Sequence, residues 1–222
     1  WALDQGLTAV HGPMGFTDMD KEGMLVEGFD ELGTLPMIYN FDYYPSHLEA
    51  LGYAKDVDWL EYEIQVPEAL DERFDRLKSV VFQRYGLHLL NAKHSRDFRP
   101  YAHQVFQVLN AAYVNLYGFV PLTTEQIEIY VDQYFGFIHP DFTKVVLDSN
   151  DDVVAFEIAM PRLSRAMQRA RGRLLPFGFI PLLRALAHPS EVVFYLIGVR
   201  PDYQAKGVNA VLMSEFYRSL IA

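Results

Sequence analysis

Residues 195–220 read YLIGVRPDYQAKGVNAVLMSEFYRSL, and the reading of this stretch decides the fold. An apolar, β-rich run (Val192, Val193, Phe194, Tyr195, Leu196, Ile197) leads into a polar turn carrying Gln204 and Gly207. Beyond the turn, Val208, Val211, Leu212, Phe216 and Leu220 fall on one face at helical spacing. A strand that ends in a glycine-containing turn and opens a helix aims unpaired backbone N–H groups at one spot. Such a spot suits a phosphate or diphosphate. Gly207 has no Cβ and lets the backbone approach a ligand closely. Most strand–turn–helix units bind nothing, so this geometry alone does not fix a function.

The chain upstream divides into periodic segments. Residues 1–10 read as a helix end running into a strand over 7–10, and 11–33 are turn-rich, punctuated by Gly12-Pro13 and Gly15. Pro45 marks a helix start, with Leu48 and Leu51 inward and Gly52 as its stop. Residues 57–66 alternate as a strand whose apolar face is Leu60, Tyr62, Ile64 and Val66. A helix is predicted over 67–85, with Leu70, Phe74, Leu77 and Val81 in register and Gly86 ending it. A strand over 87–91 follows. The next helix spans 98–117 and aligns Val105, Val108, Leu109, Ala112 and Leu116. Thr123 and Gln126 form a capping box for another helix, which buries Ile127, Tyr130, Val131 and Tyr134. Strands over 142–147 and 153–160 flank a turn at 149–152.

The run around the turn resembles motif A of the GNAT superfamily of acyl-CoA-dependent N-acyltransferases. That motif is Gln/Arg-x-x-Gly-x-Gly/Ala, often preceded by Val-x-Pro-x-Tyr. Val199, Pro201, Tyr203, Gln204 and Gly207 match it. Asn209 stands where the family prefers Gly or Ala, and Ala210 follows one residue late. From residue 87 the order strand, helix, helix, strand, strand, insertion, strand, helix is the family's order through this motif, apart from the insertion. Residues 1–66 resemble the back half of a second such domain. Tyr44 and Leu51-Gly52-Tyr53 resemble its Tyr-x-x-x-GlyPhe ending. The segments GPMGFTDMDKEGMLVEGFD and MIYNFDYYPSHLEALGY resemble bacterial tandem acyltransferase-like proteins. The expected fold is therefore α/β (α+β): a mixed twisted sheet flanked by helices. It forms a partial tandem with domains 1–66 and 67–222 and an insertion at 161–190.

The resemblance implies a site. In this superfamily two neighbouring parallel strands splay apart, and the pantetheine arm of the cosubstrate, acetyl-CoA or another acyl-CoA, pairs with one exposed edge. Here that edge is Ile197, Gly198 and Val199. The turn Gln204, Ala205, Lys206, Gly207, Val208 and Asn209 would hold the diphosphate, with Lys206 adding charge or simply being solvated. The family's usual acid is a tyrosine on the helix after the next strand; in the second domain that region is expected beyond Ala222, and in the first domain Tyr43 and Tyr44 sit near the expected place, as acid or as aromatic packing residues. Glu157 is the candidate base, with a solvent-exposed strand glutamate as its alternative. A small-molecule amine or peptide would be the acceptor. The rival reading is a catalytically degenerate fold that serves as a binding or scaffolding module.

Bulk numbers bound these readings. The chain has 222 residues, half of them hydrophobic and 14% aromatic, enough for a substantial core. A net charge of −10 argues against nucleic acid. The absence of cysteine excludes disulfides and thiolate chemistry. No apolar run approaches a transmembrane length and no signal peptide is visible, so a cytoplasmic protein is expected. The residues leave the oligomeric state open, a homo-oligomer included. The chain opens on Trp1 rather than Met, so further sequence before it is expected. His11, Asp18, Asp20, Glu22, Glu27 and Asp30 fit no calcium-loop spacing and read as loop-organising residues, so no metal site is expected. The segment 161–190 holds Arg162, Arg165, Arg169, Arg171, Arg173 and Arg184 around an apolar run and contains no acidic residue. It suits an acceptor-site cap, a phosphate contact, an anionic lipid or partner, or a helical excursion packed on its own chain.

Overall fold

The computed structural model describes residues 1–17, 19–134 and 138–221. Asp18 and the side chain of Tyr134 lie outside the described residues. The architecture is α+β: a four-stranded antiparallel sheet with seven α-helices among the described residues. The chain divides into two compact units, one of Trp1–Tyr62 with Arg162–Glu191, the other of Glu63–Pro161 with Val192–Ala222.

The second unit holds the sheet, in the order β1 (His88–Leu89), β2 (Thr143–Leu147), β3 (Val153–Pro161) and β4 (Val192–Val199). The central strand β3 is buried from Val153 to Ala159, which requires cover on both faces. Helices α2 (Arg73–Tyr85) and α7 (Val208–Ile221) supply one cover. Val81 and Leu87 join Val146, Ala155, Val208, Val211 and Leu212 in one apolar cluster. Helix α3 (Ala102–Tyr113) runs along β3 and β4 and buries Val105, Phe106, Val108 and Leu109. Helix α4 (Thr124–Tyr134) buries Ile127 and Val131. Its capping box forms as the sequence predicts: Thr123 N–H donates to Gln126 Oε1 at 2.8 Å, and Gln126 N–H donates to Thr123 Oγ1 at 3.3 Å.

Two helix starts differ from the sequence reading for local reasons. Helix α2 begins at Arg73 rather than near residue 67, because the Asp71 carboxylate accepts the Arg73 N–H at 2.8 Å and fixes the first turn. Its end at Gly86, in the left-handed region at φ 63°, is as expected. Pro100 cannot donate an N–H, so Ser95–Tyr101 forms a 3-10 turn and the α-helix proper starts at Ala102.

The first unit carries α1 (Tyr44–Ala50), begun by Pro45, together with α5 (Ser164–Ala170) and α6 (Phe179–Ala187). The strands expected over 7–10 and 57–66 do not form. A strand needs a neighbour for its N–H and C=O groups, and these segments have none among the described residues. Leu60, Tyr62 and Ile64 are accordingly exposed. Side chains hold this unit's loops instead. Buried Asn40 accepts from Leu25 N–H at 2.7 Å and donates to Leu25 O at 3.1 Å and Phe41 O at 2.9 Å. Asp20 accepts from the N–H groups of Phe16 and Thr17. The Arg-rich segment is tied to the same unit. Arg162 bonds Leu32 O and pairs with Glu191 at 2.7 Å, and Ser164 Oγ donates to Gly33 O at 2.7 Å.

Gly198 faces Phe156 across the β3–β4 ladder, and a Cβ there would lie 2.6 Å from the Phe156 ring. Gly198→Ala should destabilise the protein by about 1–3 kcal/mol in urea unfolding. A change within a few tenths of a kcal/mol would contradict this packing.

Candidate functional site

Among the described residues β4 pairs with β3 on one edge and with no strand on the other. Backbone groups of successive strand residues point to opposite edges. Arg200 N–H donates to Val154 O on the β3 side at 2.8 Å, so Gly198 also faces β3 while Ile197 and Val199 face outward. At the free edge the Tyr113 hydroxyl donates to Ile197 O at 3.0 Å and accepts from Ile197 N–H at 3.3 Å. Two residues on, Gln204 Nε2 donates to Val199 O at 3.1 Å. A break of register between Ile158 and Ala159 leaves Tyr195 opposite no single residue of β3, a bulge in β4 just before this edge.

The turn follows directly. Pro201–Tyr203 makes a short 3-10 turn, Ala205 sits at φ 58° and Gly207 at φ 83°, and α7 starts at Val208. Two left-handed residues around Lys206 turn successive N–H groups toward one side, a concave arrangement suited to anions. Among the described residues the N–H groups of Ala205, Lys206 and Gly207 donate to nothing else. Val211 N–H, bonded to Gly207 O, is the first closed donor of the helix, so those of Val208, Asn209 and Ala210 are also open. Gln204, Ala205, Lys206 and Asn209 are exposed, and Val208 is buried in the core.

Two features of the turn have structural work of their own. A Cβ on Gly207 would lie 3.2 Å from Val81 on α2, so this glycine serves helix packing as well as any ligand approach. The Lys206 ammonium lies 5.0 Å from the Tyr85 ring and 4.9 Å from the Tyr203 ring, held over both π-faces rather than freely solvated. Arg200 flanks the turn, pairing with Asp202 at 2.8 Å and Asp148 at 3.4 Å and stacking on Tyr203.

Glu157, on β3, lies opposite Ile197 of β4 and opposite Lys144 of β2. It is not the exposed strand glutamate of the alternative reading. It is fully buried on the α7 side of the sheet, and among the described residues neither carboxylate oxygen has a hydrogen-bond partner. Burial pushes its carboxyl up to about 8; Lys144 opposes the shift and Glu215 of α7 adds to it. Lys144 cannot neutralise it fully, because its ammonium donates to Pro140 O and Asp141 O, and burial lowers the ammonium in turn. Nearby, Glu215 pairs with Lys78 at 2.9 Å and with Arg218 at 3.2 Å. Tyr44 is in the other unit, at the first position of α1, half-exposed, with its ring 5.0 Å from that of Tyr43.

Sequence reasoning missed Tyr113. It sits at the end of α3, and no motif marks it. Only the topology brings α3 alongside the outer edge of β4.

No family model matches the chain. It is 26% identical over 215 residues to "Protein YghO" of Escherichia coli, covering 96% of this chain and 54% of that protein. It is 26% identical over 217 residues to "Bacterial ceramide synthase" of Caulobacter vibrioides, covering 92% of this chain and 53% of that protein. The chain thus spans about half the length of the curated relatives it matches. No helix among the described residues is long and apolar enough to cross a membrane.

The buried carboxyl gives a pH prediction. With its folded value raised from 4.5 to about 8, Glu157 holds a proton in the folded state that the unfolded chain releases. Its contribution is full below pH 4.5 and is lost as pH rises toward about 8. In that window stability should fall on the order of 1 kcal/mol per pH unit on this account alone. Glu157→Gln should flatten the fall, read as melting temperature from pH 5 to pH 8. Parallel curves for the two proteins would show that Glu157 ionises freely in the fold.

Proposed function

We propose that the chain is part of a GNAT-like N-acyltransferase that takes an acyl-CoA, acetyl-CoA or a longer acyl chain, as donor and an amine as acceptor. The observation that carries this reading is the free edge of β4 running into an exposed turn of open N–H groups at the start of α7. The match to motif A and a relative named for ceramide synthesis support it. Ceramide is an amide between a fatty acid and a long-chain amino alcohol, so that name favours a lipid-like amine among the acceptors.

In this reading the outward groups of Ile197 and Val199 pair with the pantetheine arm and place the thioester. The N–H groups of residues 205–210 hold the diphosphate, and Lys206 adds positive charge. The neutral amine attacks the thioester carbonyl. A C–N bond forms, the C–S bond breaks, the amine gives up a proton and the leaving thiolate takes one. Glu157 remains the candidate base of this unit, and Tyr44 a separate candidate acid in the other unit. Glu157 can accept a proton from an amine only in a state that opens the buried side of β3. A measured loss of turnover in Glu157→Gln and Tyr44→Phe, with donor affinity kept, is the test of both assignments.

The second reading, a binding module of the same fold, draws on a specific observation: the Tyr113 hydroxyl already fills the edge at Ile197. Calorimetry with acetyl-CoA and palmitoyl-CoA, followed by thiol release across a panel of amines, separates the two. Binding with thiol release supports the enzyme. Binding without turnover for any amine supports the module, and no binding removes the enzyme and leaves a scaffold.

Two substitutions probe the placement without disturbing the core. Asn209→Glu puts a carboxylate in the first turn of α7, where it favours the helix but repels a diphosphate. Donor affinity should fall about five- to thirty-fold, from like-charge repulsion of the order of 1–2 kcal/mol, with the melting temperature unchanged or higher. Unchanged affinity would move the diphosphate elsewhere. Tyr113→Phe frees the β4 edge and should tighten donor binding by about three- to ten-fold, the net value of a hydrogen bond. Weaker binding would mean that the hydroxyl contacts the donor.

A further inference from the structure

We propose that the α5–α6 hairpin is a docking surface for an anionic phospholipid bilayer. The hairpin is built as a defined tip. Helices α5 and α6 pack on each other and are joined by residues 171–178. Arg171 N–H donates to Gln168 O at 3.0 Å, Arg173 N–H to Ala170 O at 2.9 Å and Phe179 N–H to Leu174 O at 2.9 Å. Gly178 comes so close to Arg173 O that a Cβ would lie 1.6 Å from it. The tip therefore closes on its own backbone.

What it displays is apolar and basic. Leu174, Leu175 and Phe177 are 59%, 80% and 71% exposed. Phe179, Leu183 and Leu186 continue the display along α6 at helical spacing, all exposed. Arg162 and Arg165 are engaged with Glu191. Arg169, Arg171, Arg173 and Arg184 are exposed, and among the described residues none of them has an ion-pair partner. Unpaired guanidiniums ringing an apolar tip, in a chain of net charge −10, select an occupant that is apolar inside and anionic at its surface.

A bilayer with acidic headgroups meets both demands at once. The apolar tip enters the headgroup–acyl boundary while the arginines stay at phosphate depth, their stems snorkelling. With 9 residues, α6 is too short to span the hydrocarbon, so the hairpin lies in the interface. A nucleic acid could meet the arginines but has no use for the apolar tip.

The test is flotation of the whole chain with vesicles of phosphatidylcholine alone, or of equal parts phosphatidylcholine and phosphatidylglycerol. No acyl donor is present, so the outcome is independent of the acyltransferase reading. The chain should float with the mixed vesicles and not with phosphatidylcholine alone. Changing Arg169, Arg171, Arg173 and Arg184 together to Gln should cut partitioning by roughly 600-fold, about five-fold per arginine. Leu175→Ser with Phe177→Ser should abolish the part that resists salt, with circular dichroism unchanged because both side chains are exposed. Equal flotation with both vesicle types, no flotation, or unchanged flotation of the arginine variant would overturn the proposal. So would binding to soluble polyglutamate that equals vesicle binding and survives loss of Leu175 and Phe177, which would indicate an acidic protein partner.

Discussion

The second unit is organised by the one-sided pairing of β4. On one edge its N–H and C=O groups complete the ladder with β3, and a bulge at Tyr195 adjusts the register. On the other edge Ile197 and Val199 present groups met, among the described residues, by side chains: the Tyr113 hydroxyl and the Gln204 amide. Backbone groups cannot stay unpaired at low cost unless water or a ligand reaches them. The rest follows from this constraint. Helix α3 must lie close enough to bring Tyr113 to the edge, and the chain must turn sharply after Val199 to send α7 back over the sheet.

The turn reconciles two demands on the same residues. Positive φ at Ala205 and Gly207 reverses the chain and leaves a row of N–H groups outward. Gly207 also lets α7 approach Val81 on α2. A glycine kept for packing and a glycine kept for an anion look alike in a sequence. Here one residue meets both demands, and substitutions at Asn209 separate them where substitutions at Gly207 would not. Beneath the turn the same α7 covers Glu157, whose unpartnered carboxylate makes this face of the sheet sensitive to pH.

Much of the second unit was legible because its elements carry local signals. The run ending at Val199, the capping box at Thr123 and the stop at Gly86 each owe their form to a few adjacent residues. Starts set by a side chain or by proline shifted by several residues, as at Asp71 and Pro100. The alternation over 57–66 was a true pattern with no partner strand among the described residues to realise it, because a strand is a property of two segments. The candidate site was legible in its backbone part, which follows from strand, turn and glycine. Its side-chain part was not. Tyr113 reaches Ile197 across 84 positions, and the burial of Glu157 depends on α7 closing over β3.

The most direct test of the central claim is hydrogen–deuterium exchange of the chain with and without palmitoyl-CoA. The account predicts slowed exchange confined to the amides of Ile197, Val199 and residues 205–210. Unchanged exchange in these amides at saturating donor, or protection appearing only elsewhere in the chain, would contradict it.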